Sequence, residues 1–329
     1  MSQKVDFGVK TPVVALNSGH NMPFIAIGTT SSKIPYPSNE EFKISILEAI
    51  KVGYRHIDTA AMYGSEEGAG LAVEEALKTG LVKSRDELFV TTKLGCNNAR
   101  PDCVLPAITE SLRKLGLAYV DLYLIHAPMT ISSASHVSDM TLKKGDISPM
   151  DIESVWAAME EVHKLGLAKS IGVSNFTCKK LTELLAHANI IPAVNQVEMH
   201  PAMQQKKLRE FCKEKGIHVS AYSPLGGKEW GFDVVLGNEL LKEIAQNKKK
   251  SIAQIALRWG YEQEASMVVK SFNRARLEEN VDIFNWNLTE EELKKVELDV
   301  PQTRTSTLSD FVFADGPFKT VDELWDGEM

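Results

Sequence analysis

Short apolar runs alternate with longer amphipathic segments along most of the chain. The runs end at Gly or polar residues, as buried strands do, whereas the segments repeat apolar residues three and four positions apart, as helices do. Residues 13–27 are predicted to form a hairpin that leads into the first buried strand. The predicted strands are 22–27, a short strand at His56, 89–94, 121–126, 168–173, 193–199, 218–223 and 267–271. The predicted helices are 40–52, 66–78, 104–115, 152–165, 178–187, 206–215, 239–246, 252–261 and 274–284.

This order of elements predicts one architecture. About eight strands, each followed by a helix, favour a parallel sheet, and eight such units in 329 residues favour a closed (β/α)8 TIM barrel over an open sheet. No linker divides residues 1–329, so we expect a single domain. An extra helix is predicted over 288–298, with Thr289 as its N-cap. The polar stretch 129–148 is the longest predicted loop, and an irregular tail after Pro301 is expected near the mouth of the site.

Composition narrows the possible functions. Apolar residues make up 43% of the chain, enough for a large core, and the net charge of -7 argues against a nucleic-acid partner. The four cysteines lack the spacing of a metal site or a disulfide framework, which is typical of reduced thiols in the cytosol. We find no apolar run of membrane-spanning length and no signal peptide, so a cytoplasmic location without a membrane partner is expected.

Polar side chains stand at the ends of three successive predicted strands. His56 and Asp58 share one face of a short strand because side chains alternate along it, and Tyr63 follows five residues after Asp58. Lys93 and His126 lie at the ends of the next two strands. A carboxylate that faces the middle of a sheet needs a partner, so Lys93 is expected to pair with Asp58. The carboxyl ends of barrel strands carry the active site, which makes these residues catalytic candidates.

These side chains suit the reduction of a carbonyl group. A free tyrosine has a pKa of about 10, and a nearby ammonium is expected to lower the pKa of Tyr63 while Asp58 keeps Lys93 charged. Such a phenol can donate a proton to an oxyanion as it forms, and His126 can donate a hydrogen bond to the same oxygen. A strand-end Asp–Lys pair or a single His can also be purely structural.

A second cluster lies where the last predicted strand meets its helix. Lys270 and Ser271 end the strand, and Arg276 falls in the first turn of the helix. Backbone N–H groups at a helix N-terminus favour anions, so the cluster suits a phosphate monoester such as the 2′-phosphate of NADP. A solvated basic turn is the alternative. No G-x-G-x-x-G follows a strand, so a Rossmann-type dinucleotide site is not supported.

Seven segments resemble the aldo-keto reductase family over essentially the whole chain. They are GYRHIDTAAMYGSEEGAG, VTTKL, VDLYLIHAP, SIGVSNF, AVNQVEMHP, AYSPLG and VVKSFNRARLEEN. The resemblance implies that Tyr63 is the general acid, with Asp58, Lys93 and His126 as its partners. It also implies NADPH as the cofactor, bound before the substrate. Members that reduce steroid double bonds carry Glu at the position of His126, so reduction of C=C bonds is not expected.

The resemblance also assigns cofactor contacts along the chain. Ser174, Asn175 and Gln196 match residues that bind the nicotinamide carboxamide, and Tyr222 matches the ring that stacks on the nicotinamide. Other cofactor-binding positions are Ser223, Leu225 and Gly227 over the pyrophosphate, Lys270, Ser271, Asn273 and Arg276 at the 2′-phosphate, and Glu279 and Asn280 near the adenine. Gly28, Thr29, Asp58 and Phe272 are also expected to bind the cofactor.

The expected substrate pocket departs from that of aldose-reductase-like members. Those proteins carry Trp where this chain has Thr30, Gly95 and Ala127. An aromatic side chain buries roughly 150–250 Å2, so we expect a wider mouth and a bulky ketone as the substrate. Trp230 is the one large aromatic residue expected near the rim.

Further segments narrow the likeness and leave alternatives open. KSRDELFVTTKL, PMDIESVWAAMEE and GPFKTVDELWD are similar to the plant branch that includes codeinone, methylecgonone and chalcone reductases, with the alkaloid-ketone reductases the more similar. A polyketide (chalcone-type) reductase or a broad aldehyde reductase is the alternative activity.

Two different kinds of protein are also considered: a non-catalytic nucleotide-binding subunit, and a metal-dependent hydrolase that uses His56, Asp58, His126, Glu198 and His200. The resemblance is compatible with a monomer that binds a small carbonyl substrate and no metal.

Overall fold

The computed structural model describes residues 11–33, 35–132 and 146–328. Their strands are β1 (Val13–Ala15), β2 (Asn21–Pro23), β3 (Ile25–Gly28), β4 (His56–Asp58), β5 (Phe89–Leu94), β6 (Val120–Ile125), β7 (Met129–Ile131), β8 (Ile147–Pro149), β9 (Ala168–Ser174), β10 (Val194–Glu198), β11 (His218–Tyr222) and β12 (Ser266–Val269). Their helices are α1 (Asn39–Val52), α2 (Glu66–Lys78), α3 (Pro101–Leu115), α4 (Ile152–Lys164), α5 (Cys178–Leu185), α6 (Lys206–Glu214), α7 (Glu239–Lys248), α8 (Ile252–Glu262), α9 (Arg274–Val281), α10 (Glu290–Asp299) and α11 (Val321–Leu324).

Eight parallel strands close into a barrel. Going round it, the order is β3, β4, β5, β6, β9, β10, β11 and β12, and β12 pairs again with β3. Gly172 in β9 permits a close approach to the neighbouring strand, because a Cβ there would lie 2.4 Å from the carbonyl oxygen of Val194. The predicted (β/α)8 barrel is confirmed.

The two ends of the barrel differ. The predicted hairpin is present as the antiparallel pair β1 and β2, and it covers the opening at the amino-terminal end. Apolar side chains plug the barrel beneath it: Leu16, Met22, Phe89, Leu122, Leu124, Ala193 and Val194. A much larger apolar core fills the layer between the strands and the helices. The hairpin therefore leaves the carboxyl ends of the strands as the place for a site, as in other TIM barrels.

Helix boundaries follow local capping. Ser38 and Thr289 each accept a hydrogen bond from a backbone N–H in the first turn, at Glu41 and Glu292, and those glutamates bond back to complete capping boxes. The predicted N-cap at Thr289 is thus confirmed. Helix α3 begins at Pro101, three residues before its predicted start, because proline lacks an N–H and fits the first turn of a helix.

The tail after Pro301 contains more structure than the sequence predicts. It includes a short 3-10 turn over Ser309–Phe311 and helix α11. Its apolar side chains pack on residues that follow β5 and β6, which places the tail at the carboxyl end of the barrel, as predicted. The members of this cluster are Cys96, Ala127, Met129, Ile131, Leu324 and Trp325, with Leu308, Phe311, Val312, Phe318 and Val321 at its edge.

The stretch predicted to be the longest loop has paired ends. Strands β7 and β8 run antiparallel, with Met129 opposite Pro149. Residues 133–145, which form most of that predicted loop, lie outside the described residues. Across the described ranges, no helix combines the length and apolar character needed to span a bilayer.

Candidate active site

The four predicted catalytic residues meet at the carboxyl end of the barrel. Asp58 is the last residue of β4, Lys93 lies near the end of β5, and His126 directly follows β6. Tyr63 ends a 3-10 turn that Gly64 terminates in the left-handed conformation. The structure therefore brings together side chains from three neighbouring strands, in the arrangement that the strand-end pattern predicts.

Their contacts form two linked pairs. Lys93 Nζ lies 2.5 Å from Asp58 Oδ1 and donates a second hydrogen bond to the carbonyl oxygen of Thr59 at 3.0 Å. The lysine and aspartate side chains are only 0% and 3% exposed. Tyr63 Oη lies 3.3 Å from His126 Nε2, and the ammonium of Lys93 lies 5.0 Å from the centre of the Tyr63 ring. A phenol thus stands between a buried ion pair and an imidazole.

The electrostatics of the phenol differ from the sequence prediction. Burial raises the pKa of Tyr63, and the Asp58 carboxylate raises it further, whereas a lowered pKa was expected from Lys93. Burial is the main physical reason, because it disfavours the charged phenolate, and the Asp58 carboxylate beside Lys93 adds to the shift. In the cofactor-free protein, Tyr63 is therefore a protonated phenol, which is the form that a proton donor requires.

The other two groups also carry defined charges. Burial lowers the pKa of Lys93, and the Asp58 carboxylate opposes that shift. Burial and the nearby Lys93 hold the pKa of His126 well below its usual range, so the imidazole is neutral at physiological pH. A neutral imidazole has one N–H and can act as a hydrogen-bond donor without adding charge.

A polar network joins the predicted nicotinamide residues to this centre. Gln196 Nε2 donates to Asp58 Oδ2 at 2.8 Å, and Ser174 Oγ donates to the Gln196 carbonyl oxygen at 2.7 Å. Asn175 Nδ2 donates to the His126 carbonyl oxygen at 2.9 Å, and Tyr222 Oη donates to Asn175 Oδ1 at 2.8 Å. The direct contact of Gln196 with the Asp58 carboxylate was not predicted, because sequence spacing carries no signal for a pairing across the barrel.

Two of the predicted cofactor residues have unusual backbone conformations. Asn175 and Ser223 follow β9 and β11 with φ angles of 63° and 49°. Residues other than glycine rarely adopt this left-handed region, and such positions cluster at functional sites. Downstream, the predicted pyrophosphate segment continues through Leu225, which packs against the core, to Gly226 and Gly227, both left-handed glycines.

The predicted phosphate site lies at the start of α9. Asn273 caps this helix by accepting a hydrogen bond from the Arg276 N–H, and its own N–H donates to Ser271 Oγ at 3.0 Å. Arg276 is exposed beside them. The ammonium of Lys270 lies 5.5 Å from the centre of the Phe272 ring. A helix N-terminus with these cations suits an anion, as predicted.

The residues predicted near the adenine lie at the end of α9, and Gly28 and Thr29 lie at the end of β3. Asn280 is buried and Glu279 is half-buried near the end of α9. Gly28 ends β3 opposite Asp58, and Thr29 Oγ1 lies 2.7 Å from Ser65 Oγ. Lys33 is a residue that sequence reasoning missed: its ammonium lies 3.8 Å from the centre of the Phe272 ring. Residues 31–38 (SSKIPYPS) show neither helical nor strand periodicity around this lysine, so no pattern identified it.

Comparisons with known proteins identify the family. The sequence model of the Aldo/keto reductase family matches residues 24–298. This chain is an aldo-keto reductase. It is 56% identical to the 7-acetyl-epi-neemfruitin B aldo-keto reductase of Melia azedarach, over 98% of this chain and 99% of that one. It is 50% identical to the NADPH-dependent codeinone reductase 1-4 of Papaver somniferum, over 96% and 97% of the two chains.

A solved structure agrees with this assignment. The Bombyx mori aldo-keto reductase in complex with NADP superimposes with a TM-score of 0.83 at 38% identity, over 94% of this chain and 99% of that one. This aldo-keto reductase is therefore an NADP-dependent oxidoreductase that acts on carbonyl groups, with NADPH or NADP+ as its cofactor. The predicted family, its plant branch, the fold and the cofactor are all confirmed.

The four residues of the predicted substrate pocket differ in exposure. Thr30 is half-buried, and Trp230 is 53% exposed in the loop after β11. Gly95 and Ala127 are buried, and Ala127 belongs to the apolar cluster beneath the C-terminal tail. The small side chain at position 127 thus lies under the packed tail.

The metal-dependent alternative is not supported. Among the described residues, no group of three or more His, Cys, Asp or Glu side chains could hold a metal ion. His56 Nε2 lies 2.8 Å from Thr91 Oγ1, and Glu198 binds His200 and the start of the tail.

A cavity of about 840 Å3 lies at the end of the barrel opposite the site. It is lined by residues of the hairpin and by the first residues of the strands.

Proposed function

We propose that this aldo-keto reductase reduces a bulky ketone of plant specialised metabolism to a secondary alcohol, with Tyr63 as the general acid. One observation carries the mechanism: the Tyr63 hydroxyl lies 3.3 Å from His126 Nε2, beside the buried pair of Lys93 and Asp58. General acids act within hydrogen-bond reach of the oxygen that they protonate. A carbonyl oxygen placed between the phenol and the imidazole can contact both.

The four residues have different roles in the proposed reduction. NADPH, when bound, supplies the hydride for the carbonyl carbon. Tyr63 donates its phenolic proton to the carbonyl oxygen as negative charge develops there. His126, in the neutral tautomer protonated at Nε2, donates a hydrogen bond to the same oxygen and orients it. Lys93 stabilises the phenolate that remains, and Asp58 holds the lysine in place.

Different residues are proposed to bind each part of NADPH. The amide groups of Asn175 and Gln196 and the hydroxyl of Ser174 suit a carboxamide, and the flat ring of Tyr222 suits a nicotinamide face. The other proposed contacts are Gly28, Thr29 and Asp58 near the nicotinamide ribose, Ser223, Leu225 and Gly227 over the pyrophosphate, Lys270, Ser271, Phe272, Asn273 and Arg276 at the 2′-phosphate, and Glu279 and Asn280 at the adenine.

The phosphate assignment predicts a selective loss of affinity. Because a hydrogen bond to a charged group contributes about 1.5–3 kcal/mol, Arg276→Ala is expected to raise the Kd for NADPH by about 10- to 100-fold and to leave the Kd for NADH almost unchanged. Arg274→Ala is the matched control, since Arg274 forms ion pairs with Glu48 and Glu278. Cofactor titrations followed by fluorescence measure both constants. Equal losses for NADPH and NADH would contradict the assignment.

The substrate class is supported by the relatives and by Thr30, where aldose-reductase-like members carry tryptophan. The relatives are named for different substrates, codeinone and 7-acetyl-epi-neemfruitin B, at similar identity. Steady-state assays with NADPH should compare a fused-ring ketone with a short aldehyde. We expect the higher kcat/KM for the ketone. A clear preference for the aldehyde would instead indicate a broad aldehyde reductase, and selective turnover of a polyketide would indicate a chalcone-type reductase.

Location and assembly also belong to this proposal. We propose a cytosolic monomer made of a single domain, which the four free cysteines support for the cytosol because thiols stay reduced there. Size-exclusion chromatography with light scattering tests the monomer directly.

A further inference from the structure

A buried carboxylate at the end of β10 holds the first residues of the C-terminal tail. Both oxygens of Glu198 are engaged. Oε1 accepts hydrogen bonds from the Thr305 N–H at 2.8 Å and from the Thr305 hydroxyl, and Oε2 accepts from the Ser306 N–H at 3.0 Å. The side chain is 0% exposed. Three hydrogen bonds from two consecutive tail residues thus end on one barrel residue.

Arg304 joins the two ends of the tail. Its Nη1 lies 3.9 Å from Glu198 Oε2, and its Nη2 donates to the carbonyl oxygen of Glu328 at 2.7 Å. The guanidinium also lies 3.7 Å from the centre of the Trp325 ring. The arginine side chain is 2% exposed, and the Glu198 and Glu328 carboxylates help to offset its buried charge. Residues 304–328 therefore form a loop that is closed at its base.

The far end of this loop is attached to α5. Asp326 accepts hydrogen bonds from Thr177 and from both Lys179 and Lys180, and the Cys178 N–H donates to the Glu328 carboxylate. Two separate anchors, Glu198 at one end and the start of α5 at the other, thus fix the loop. Between them, its apolar residues pack on Ala127 and the rest of the cluster that follows β5 and β6.

The first anchor also lies beside the proposed nicotinamide site. Tyr222 ends β11, directly opposite Glu198 in the strand register. Burial raises the pKa of the Tyr222 phenol, and the Glu198 carboxylate raises it further, while Ser306 and Arg304 oppose the shift. Glu198 therefore lies between Tyr222, the ring proposed to stack on the nicotinamide, and the tail residues Thr305 and Ser306.

We propose that Glu198 is a positioning residue for substrate selectivity: through Arg304, Thr305 and Ser306 it fixes the tail as a preformed wall of the substrate pocket. This inference rests on the proposed reduction of a bulky ketone. A large substrate contacts the wall and needs it in place, whereas a short aldehyde reaches the Tyr63 hydroxyl without it. Disorder in the wall then raises KM for the ketone, because ordering it again opposes binding.

The test compares Glu198→Gln with a matched control. Glutamine keeps the size of the side chain but is uncharged and has a single acceptor oxygen. In the unmodified protein, the N–H groups of Thr305 and Ser306 bind two separate carboxylate oxygens. Glu262→Gln is the control, because Glu262 is also largely buried, pairs with an arginine, Arg258, and accepts a backbone N–H, from Leu288, away from the tail. Arg304→Lys serves as a second variant that retains the charge and loses the planar contact with Trp325.

Two readouts separate the possible results. Hydrogen exchange should rise in residues 305–325 of Glu198→Gln while the barrel strands stay protected. At saturating NADPH, KM for a fused-ring ketone should rise about tenfold or more, because the tail loses charge-assisted hydrogen bonds. The kcat for a short aldehyde should stay within about twofold. Glu262→Gln should change neither quantity, and Arg304→Lys should resemble Glu198→Gln in a milder form.

Specific results would overturn the proposal. Unchanged exchange in the tail of both Glu198→Gln and Arg304→Lys would show that this contact does not hold it. Increased exchange with parallel losses for ketone and aldehyde would show that the tail does not set selectivity. If the unmodified enzyme turns over the aldehyde but not the ketone, the proposed substrate class fails, while the exchange experiment still decides whether Glu198 positions the tail. If Glu198→Gln does not fold, Arg304→Lys decides both questions.

Discussion

Tyr63→Phe is expected to lower kcat for carbonyl reduction by about 10²- to 10⁴-fold, the range that one general acid contributes. The variant removes a single oxygen, the one that lies 3.3 Å from His126 Nε2, and keeps the ring that packs edge-to-face on the imidazole. Affinity for NADPH should stay nearly the same, because the proposed cofactor contacts come from other residues. Stopped-flow or steady-state kinetics together with a cofactor titration measure the two effects.

A second tyrosine provides the control. Tyr119→Phe removes a hydroxyl that donates to Asp86 on the outside of the barrel, so it should leave kcat unchanged. If Tyr63→Phe retained most of its activity, the proton would come from another group, and the proposed mechanism would be wrong. Because burial and Asp58 raise the pKa of Tyr63, the phenol of the free enzyme should also stay protonated through neutral and mildly alkaline pH.

Lys93→Met is expected to reduce both stability and activity. The change leaves the Asp58 carboxylate buried without its partner, which typically costs about 3–5 kcal/mol in the free energy of unfolding. It also removes the cation that stabilises the phenolate during the reaction, so kcat should fall even in the fraction that is folded. Urea unfolding measures the loss of stability. Steady-state kinetics without urea, where the variant is folded, measure the loss of kcat.

Two further variants show where each loss arises. Lys206→Met breaks an exposed ion pair with Glu297 and should cost at most about 1 kcal/mol. The double variant Asp58→Asn, Lys93→Met removes the unpaired charge, so it should recover part of the stability but none of the activity. Full recovery of activity in the double variant would mean that the charge of Lys93 has no catalytic role. A stability loss for Lys93→Met as small as that of Lys206→Met would contradict the buried-pair argument.

Local sequence signals predicted the site well where a residue stands at the end of a strand. The alternation of side chains put Asp58 on the inner face of β4, and the order of the strands placed Lys93 beside it, as the 2.5 Å contact shows. The basic residues at the start of α9, Lys270 and Arg276, follow from neighbours in sequence in the same way. Such features depend on a few residues of one segment or on adjacent strands, so the pattern of apolar and polar residues predicts them.

Contacts between distant segments could not be predicted in this way. Gln196 reaches Asp58 across the barrel, and Glu198 binds residues that are more than 100 positions away in the chain. Lys33 lies on Phe272 only because two loops meet. None of these pairings leaves a periodic or spacing signal.

The sequence by itself determined the barrel, the strand ends that carry Asp58, Tyr63, Lys93 and His126, and the family. Those properties follow from the periodicity of apolar residues and from motifs within single segments. Only the tertiary structure decided the direction of the pKa shift of the phenol and the place where the tail packs. Burial and the Asp58 carboxylate raise the pKa of Tyr63, and the tail packs on residues that follow β5 and β6. Both burial and tail packing bring together residues far apart in sequence, which folding alone fixes.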